Sequence, residues 1–391
     1  MASHRHRRIL ACALASAVAL APSTALAASW AQFHRSASRA GVTTAETVLT
    51  RSSTPQLAIR WSAATLPTPE GINSSPAIAR GAVVVGSDDG FVYSFDERTG
   101  ALRWSVFTGS AVRSSPAVAN GRVVVGNAGG AIYALDADTG AGLWSYGIGG
   151  KVTAAPLVVG GTVYVGSRGG SFVALDLETG DVRWRAQPWA TWAGPSYANG
   201  LVYVGSDRSA VFAFDAVTGQ ERWSTSLDGR VRSSPSVRNG LVYAGTDAGS
   251  VYAMDATTGE ISWRAAAAPR ETNAVVRSSP AIVGGRVIVT TGETTPMDGH
   301  AVALDATTGA TLWSAKLADY STSSPAIANG VVYLGSFDTR LYALDVRNGR
   351  QLWTSGWGTL PRGINSSPAI ANGRVVIGVR DGSVYSFGLS A

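Results

Sequence analysis

The chain has 391 residues, and 45% of them are hydrophobic, which is enough to form a large core. Only 15% are charged, while 46 glycines and 16 prolines supply turns, a balance typical of proteins with many short strands. The formal net charge is +6, but the sequence has no run of lysine and arginine interleaved with aromatic residues, which argues against nucleic-acid binding.

The first 27 residues are predicted to form a secretory signal peptide. Residues 1–8 are basic, residues 9–21 form an apolar run too short to span a bilayer stably, and Ala25-Leu26-Ala27 is a small-residue cleavage pattern. We expect cleavage near Ala27, and Arg7-Arg8 leaves general secretion and twin-arginine export both open. Removing the signal deletes three arginines, no acidic residue and the only cysteine, so the net charge falls to +3 and disulfides are excluded.

Residues 28–54 are predicted to form an N-terminal arm outside the repeats that follow. Residues 30–41 mix aromatic and polar side chains without a clear period, so we expect an irregular segment packed on the first or last blade. Thr44 followed by Glu46 predicts a turn and a short helix within residues 43–53.

Residues 55–391 are organised by a repeat of about 40 residues, a period typical of four-stranded propeller blades. The repeat contains the pattern Ala-x-Asp-x-x-Thr-Gly-x-x-x-Trp, as in residues 134–144. Its tryptophans, preceded by one upstream copy, are Trp61, Trp104, Trp144, Trp184, Trp223, Trp263, Trp313 and Trp353. Its aspartates are Asp96, Asp136, Asp176, Asp215, Asp255, Asp305 and Asp345.

These repeated residues are expected to be structural. Each aspartate can accept hydrogen bonds from the backbone of the following turn, and each tryptophan can lie between neighbouring blades. A ring of carboxylates also offers metal or acid–base chemistry, but a residue found at one offset in nearly every repeat more simply holds the repeat together.

The number of blades follows from where the pattern starts and stops. Seven full blades end at the tryptophans from Trp104 to Trp353, and residues 366–387 supply three more strands before the chain ends. Residues 56–61 supply the missing fourth strand. The sequence therefore predicts an all-β protein, an eight-bladed β-propeller of four-stranded antiparallel blades in which an N-terminal strand completes the last blade.

The repeat pattern resembles the tryptophan-docking motif of the pyrroloquinoline quinone (PQQ) propeller family, and this resemblance covers nearly the whole mature chain. It implies the propeller fold but not one activity, because the family includes quinone-dependent alcohol and sugar dehydrogenases, cofactor-free scaffold proteins and sensor regions. The single-domain layout is similar to the propeller subunit of the outer-membrane β-barrel assembly machine. The adjacent cysteines and the haem domain of many quinone dehydrogenases are missing from this sequence.

One position in each blade, just before Ser-Ser-Pro or its equivalent, changes from blade to blade. Since propellers bind ligands over the central channel, we expect these eight residues to surround one funnel. Arginine, asparagine, threonine and tryptophan side chains suit a flat, anionic or hydrogen-bonding ligand, although they also suit a water-filled mouth. We call this set the funnel ring: Asn73, Arg113, Thr153, Trp192, Arg232, Arg277, Thr322 and Asn365.

Two blades carry irregular loops, which often determine specificity on a regular scaffold. Residues 187–195 add two aromatic side chains to the fourth blade, and the sixth blade is lengthened by residues 269–276 and 292–300. Glu293, Asp298 and His300 in the latter segment do not have the spacing of a known cation-binding loop, so we predict a solvated turn and no metal site.

Two functions fit this sequence. The favoured one is a secreted or periplasmic, monomeric, non-catalytic propeller that presents its loops and funnel to a protein, an envelope component or a small anionic ligand. The alternative is a PQQ-dependent dehydrogenase of alcohols or sugars with Ca²⁺ beside the quinone. The lack of an evident acid–base pair favours the first, for which we predict no catalytic residue, no nucleic-acid partner and no transmembrane segment in the mature chain.

Overall fold

Eight four-stranded antiparallel blades, one of them extended by a short parallel fifth strand, surround a central channel in the computed structural model, which describes residues 29–267, 274–292 and 298–390. The first strand of the last blade contacts the first strand of the first blade, so the ring is closed. The predicted eight-bladed propeller is confirmed. The predicted signal peptide, Glu293 and most of residues 269–276 lie outside the described residues.

The strands are numbered in chain order. The N-terminal region contains β1 (Val42–Thr43), the 3-10 helix Thr54–Gln56 and β2 (Ala58–Ala64). Blades one to four contain β3 (Ala77–Ala79), β4 (Ala82–Gly86), β5 (Phe91–Asp96), β6 (Leu102–Phe107), β7 (Ala117–Ala119), β8 (Arg122–Gly126), β9 (Ala131–Asp136), β10 (Gly142–Gly147), β11 (Leu157–Val159), β12 (Thr162–Gly166), β13 (Phe172–Asp176), β14 (Val182–Ala186), β15 (Ser196–Ala198), β16 (Leu201–Ser206), β17 (Ala210–Asp215) and β18 (Glu221–Ser226). Blades five to eight contain β19 (Ser236–Arg238), β20 (Leu241–Gly245), β21 (Ser250–Asp255), β22 (Ile261–Ala266), β23 (Ala281–Val283), β24 (Arg286–Gly292), β25 (Gly299–Asp305), β26 (Thr311–Leu317), β27 (Ala326–Ala328), β28 (Val331–Gly335), β29 (Leu341–Asp345), β30 (Gln351–Thr354), β31 (Ala369–Ala371), β32 (Arg374–Gly378) and β33 (Ser383–Gly388).

Turn chemistry explains the hairpins within a blade. In the second blade, Asn120 and Gly121 join β7 to β8 with φ angles of 48° and 73°, the left-handed pair that a tight hairpin requires. Between β9 and β10, Asp136 Oδ1 accepts hydrogen bonds from the backbone N–H groups of Asp138 (3.1 Å) and Thr139 (2.8 Å). The short carboxylate thus orders the turn that precedes the tryptophan strand.

Each docking tryptophan joins its blade to the next one. The indole N–H of Trp104 donates to the carbonyl oxygen of Ala137 at 3.1 Å, and its ring lies so close to Gly140 that a Cβ there would approach it to 2.8 Å. The equivalent indole bonds are Trp61 to Glu97, Trp144 to Leu177, Trp184 to Ala216, Trp223 to Ala256, Trp263 to Ala306 and Trp313 to Val346. Trp353 instead packs edge-on against Phe387 (5.7 Å between ring centroids), because the eighth blade has no such turn before its last strand.

The N-terminal strand closes the ring. β2 pairs antiparallel with β33 over the register Ala58↔Gly388 to Ala64↔Ser383. The strand lies slightly later than the predicted residues 56–61, because Pro55 starts the 3-10 turn Thr54–Gln56. Trp61 is buried against the first blade, so this one strand completes the eighth blade and docks on the first.

The arm takes a different path from the predicted one. It runs along the inner strands of seven blades rather than packing on the first or last one. Arm carbonyl groups accept the N–H groups of Ile78, Val118, Tyr197, Val237, Ile282 and Ile327, the middle residues of six first strands. At the third blade, the side-chain oxygen of Gln32 accepts the N–H of Val158 at 3.3 Å. These inner edges have no further strand to pair with, so the arm satisfies their donors.

The predicted short helix within residues 43–53 is wrong. Thr43 belongs to β1, which pairs in parallel with β27, and the helix is confined to Thr54–Gln56. Glu46 is buried, and its carboxylate accepts the N–H groups of Leu49 (3.0 Å) and Gly373 (2.8 Å). The segment forms a bend in place of the predicted helix. The Glu46 carboxylate caps this bend and links it to the eighth blade.

Candidate functional site

The funnel ring lines one cavity of about 150 Å³ at the channel mouth, together with Phe33 of the arm. All eight residues of the set are in that lining. Seven of the eight lie five residues before the strand position that binds the arm, so the arm lies beneath the ring at these blades. The arm therefore forms part of the cavity wall, through Phe33.

A ring of serine hydroxyls lies under the funnel. The N–H of Ser75 donates to Ser115 Oγ at 2.9 Å, and Ser367 donates in the same way to Ser75 Oγ at 2.8 Å. The same bond links Gly194 to Ser234, Ser234 to Ser279, Ser279 to Ser324 and Ser324 to Ser367. The hydroxyl ring is interrupted at Ala155 and Gly194, which have no hydroxyl to offer.

Arg39 of the arm lies at this interruption. Its guanidinium donates to the carbonyl oxygens of Ala155 (3.2 Å), Pro156 (3.0 Å) and Pro195 (2.9 Å), and the side chain is completely buried. Burial lowers the pKa of Arg39 to about 9, which keeps the group charged at neutral pH. Backbone carbonyl groups thus take the place of a carboxylate partner.

His34 is the second buried titratable group of the arm. Its Nδ1 donates to the carbonyl oxygen of Arg39 at 2.7 Å, and burial lowers its pKa from 6.5 to about 4. At neutral pH the imidazole is therefore uncharged beside the Arg39 cation.

We expect acid to weaken the fold through His34. The folded state binds fewer protons than the unfolded state between the two pKa values, so stability falls as the pH drops from 6.5 to about 4. Over this window the wild type should lose about 3 kcal/mol of unfolding free energy that a His34→Gln variant keeps. Urea unfolding at successive pH values measures this loss of unfolding free energy. If the wild type and the variant lose the same free energy over this window, the expected role of His34 is contradicted.

The turn aspartates act at lower pH. Arg103 donates to Asp96 and holds the pKa of that carboxyl at about 2, and Arg183 does the same for Asp176. Their stabilising contribution is present above the ordinary pKa of 3.8 and is lost as the pH falls towards 2, outside the window of His34.

The funnel arginines are paired with carboxylates, which the sequence-based expectation of free guanidinium groups did not include. Arg113 Nη2 lies 2.7 Å from Asp88 Oδ2. The other two arginines and two aspartates alternate, with distances of 3.2 Å for Arg232 to Asp207, 3.3 Å for Arg232 to Asp247 and 2.9 Å for Arg277 to Asp247. These three arginines and three aspartates together carry no net charge.

The aspartates belong to a second set of residues, which we call the loop ring. Each lies fifteen positions after a funnel-ring residue and bonds through its N–H to the carbonyl of the loop that precedes its blade. The eight members, all within the described residues, are Asp88, Ala128, Arg168, Asp207, Asp247, Gly292, Phe337 and Arg380. The sequence contains a signal for them, because this position varies between blades as the funnel ring does while its neighbours repeat.

Two cations remain at the third blade. Lys151 and Arg168 form no ion pair within the described parts of the chain, and both line a recess of about 440 Å³ next to the channel mouth. The guanidinium carbon of Arg168 lies 3.6 Å from the ring centroid of Trp192, whose N–H donates to Asp207 Oδ2 at 3.0 Å. Thr153 also lines the recess, and its buried hydroxyl has no hydrogen-bond partner among the residues that the structure describes.

The opposite side of the funnel is neutral. Thr322 donates to the side-chain oxygen of Asn365, whose amide donates to Asn73 Oδ1 at 2.8 Å. These three residues bridge the seventh, eighth and first blades. The funnel-ring side chains of these three blades are therefore uncharged, whereas Lys151 and Arg168 lie at the third blade.

The described end of the sixth-blade insertion, residues 298–300, makes its side-chain contacts within its own blade. Asp298 pairs with Lys316 at 3.2 Å, and His300 lies 3.9 Å from Asp298 and 3.1 Å from the Ser314 hydroxyl. In the described ranges, no group of three or more His, Cys, Asp or Glu side chains is arranged to hold a metal ion. No helix of that same part of the chain has the length and apolarity needed to cross a membrane.

Comparison with known proteins agrees with this architecture. The sequence matches the family described as outer membrane protein assembly factor BamB over residues 28–191 and 187–390. No curated protein matches the sequence. Similar solved structures include BamB from Moraxella catarrhalis, with a TM-score of 0.71 and 20% identity over 85% of this chain and 98% of that one.

Two dehydrogenases have the same fold. Quinohemoprotein alcohol dehydrogenase ADHIIG from Pseudomonas putida HK5 has a TM-score of 0.77 and 17% identity over 93% of this chain and 81% of that one. A europium-containing methanol dehydrogenase has a TM-score of 0.73 and 16% identity over 92% of this chain and 98% of that one. At these identities the likeness shows the fold alone.

Proposed function

The chain belongs to the family described as outer membrane protein assembly factor BamB, and on this premise we propose that it is a non-catalytic, extracytoplasmic binding module. Its funnel face is the proposed contact surface for a protein or envelope component, or for a small anionic ligand. The funnel ring and the recess beside it supply the polar groups for this contact. The predicted signal peptide supports the location.

One observation carries the proposal: the carboxylates of the funnel are engaged by guanidinium groups. Asp88, Asp207 and Asp247 pair with the three ring arginines, and Glu70 pairs with Arg380 at 2.7 Å. A general base must reach the substrate proton with a free oxygen, and an ion-paired carboxylate is a poor proton acceptor. The described funnel therefore offers binding groups without an available base.

The funnel residues do not fit PQQ with Ca²⁺. A planar quinone needs an open aromatic face, but the guanidinium carbons of Arg168 and Arg232 lie 3.6 and 4.8 Å from the centroid of Trp192. Ca²⁺ takes six to eight oxygen ligands, whereas the funnel aspartates are held by arginine.

The test is reconstitution with PQQ and Ca²⁺. We expect the protein to retain no quinone absorbance after gel filtration and to reduce no dye with alcohols or sugars, since no ring arginine is free to bind it. A quinoprotein alcohol dehydrogenase reconstituted in parallel is the positive control. Stoichiometric PQQ that is lost in an Arg232→Ala/Arg277→Ala variant, together with dye reduction, would instead identify a quinone-dependent dehydrogenase.

A further inference from the structure

The loop between the third and fourth blades holds a tryptophan at a position where the two preceding loops have glycine. Five positions after the docking tryptophan, the two preceding loops have Gly109 and Gly149, with φ angles of 86° and 80°. The same position here is Trp189, whose φ is 70°. A bulky residue in this left-handed region is strained, and such strain is typical of functional sites.

The strained residue presents its ring on the rim of the funnel. Trp189 is 50% exposed, and the guanidinium carbon of Arg208 lies 3.4 Å from its ring centroid. The loops of the first two blades form with glycine at this position, so folding does not require the indole. An exposed aromatic ring held at a cost in backbone strain indicates a contact surface.

Further cations and a second indole are continuous with Trp189. The Trp189 backbone packs on Gly170, which lies in the same loop as Arg168. Arg168 stacks on Trp192, and its N–H donates to the carbonyl oxygen of Lys151 at 2.8 Å. We define the rim patch as Lys151, Arg168, Trp189, Trp192 and Arg208. It is an aromatic-interleaved basic surface that sequence inspection missed, because its members come from separate loops.

We propose that the rim patch binds an acidic oligosaccharide, a glycan built from uronate sugars. Lys151, Arg168 and Arg208 match its carboxylates, since guanidinium groups bind carboxylates through two parallel hydrogen bonds. The exposed indole face of Trp189 suits the apolar face of a sugar ring. This inference rests on the proposed function, of which it names the ligand class.

The neighbouring recess favours a hydroxyl-rich ligand over a nucleic acid strand. The Thr153 hydroxyl lacks a hydrogen-bond partner, and the amides of Asn73 and Asn365 line the same 440 Å³ recess. Sugar hydroxyl groups can donate to and accept from all three. Single-stranded DNA shares the stacking and the charge but lacks comparable hydroxyl groups, and the predicted export separates the protein from cellular nucleic acid.

Calorimetric titration of the mature protein with an oligogalacturonate tests the proposal. A neutral maltooligosaccharide of the same length and an oligothymidylate are titrated in parallel. We expect binding of the oligogalacturonate alone, weakened by salt as charge pairing requires. The Trp189→Gly variant should bind the oligogalacturonate about tenfold more weakly or worse. The melting temperature of this variant should equal or exceed that of the wild type, because glycine relieves the backbone strain.

The matched control is Trp357→Ala. Trp357 is 77% exposed in the loop four blades away and also lies beside an arginine, Arg340, at 4.9 Å. Loss of the Trp357 side chain should leave the affinity for the oligogalacturonate unchanged. Equal affinity for the neutral sugar, preference for the oligothymidylate, or unchanged binding by Trp189→Gly overturns the proposal. If no glycan binds and no PQQ is retained, the glycan proposal is rejected while the proposed non-catalytic function stands. If the protein reduces dye with PQQ, the proposed non-catalytic function is rejected.

Discussion

Deletion of residues 56–61 is expected to remove most of the stability of the propeller. The deletion shortens β2, so β33 and the outer side of the eighth blade lose their pairing partner. It also removes Trp61, which is buried and donates to the carbonyl oxygen of Glu97 in the first blade at 2.9 Å. Since folded proteins are stable by only about 5–15 kcal/mol, the loss should be visible in any unfolding experiment.

Point variants separate closure from the loss of a strand. Trp61→Ala should cost about 3–5 kcal/mol, as expected for a buried tryptophan. Trp353→Ala is the matched control, because that ring lacks the indole hydrogen bond to a following blade and should cost less. Urea unfolding measures both. A deletion variant with an unchanged melting temperature would show that the N-terminal strand does not hold the ring closed.

Replacement of Arg39 by alanine is expected to release the arm from the channel. The change leaves the buried carbonyl oxygens of Ala155, Pro156 and Pro195 without the guanidinium donor. It also removes the side chain that lies where the ring of serine hydroxyls is interrupted. Removing one member of a buried charged network costs about 3–5 kcal/mol. Urea unfolding and limited proteolysis within residues 30–41 report the two consequences, lower stability and an exposed arm.

Arg35→Ala is the control within the same arm. Arg35 is half-buried and donates to a single carbonyl, that of Val42, at 3.0 Å. Its loss should cost about 1 kcal/mol and leave the arm protected. Arg39→Ala protein as stable and as protease-resistant as the wild type would mean that the arm is held by its backbone hydrogen bonds alone.

The blade count and the closing strand could be predicted because they depend on constant offsets. Trp61 stands one repeat before Trp104, and that spacing alone indicates a fourth strand for the last blade. The funnel ring was found in the same way, from variation at a fixed position. Repetition makes each blade an internal reference for the others.

The arm and the funnel charges could not be predicted in the same way. The arm is not periodic, so nothing local to Arg39 indicates that it reaches Ala155 and Pro195, more than a hundred residues away. The pairing of Arg232 with Asp207 and Asp247 joins neighbouring blades across the channel mouth. Such contacts depend on the height of a side chain above the ring, which spacing does not specify.

The arm also determines the order in which the chain can become native. Val42 pairs with Ile327, and Ala58 pairs with Gly388, so the residues synthesised first wait for partners synthesised last. Contacts at such large sequence separation make folding slow, because loop-closure entropy opposes them until the end. A chain built in this way cannot close its ring until its last strand is available. The N-terminal arm is then enclosed by blades that are synthesised after it.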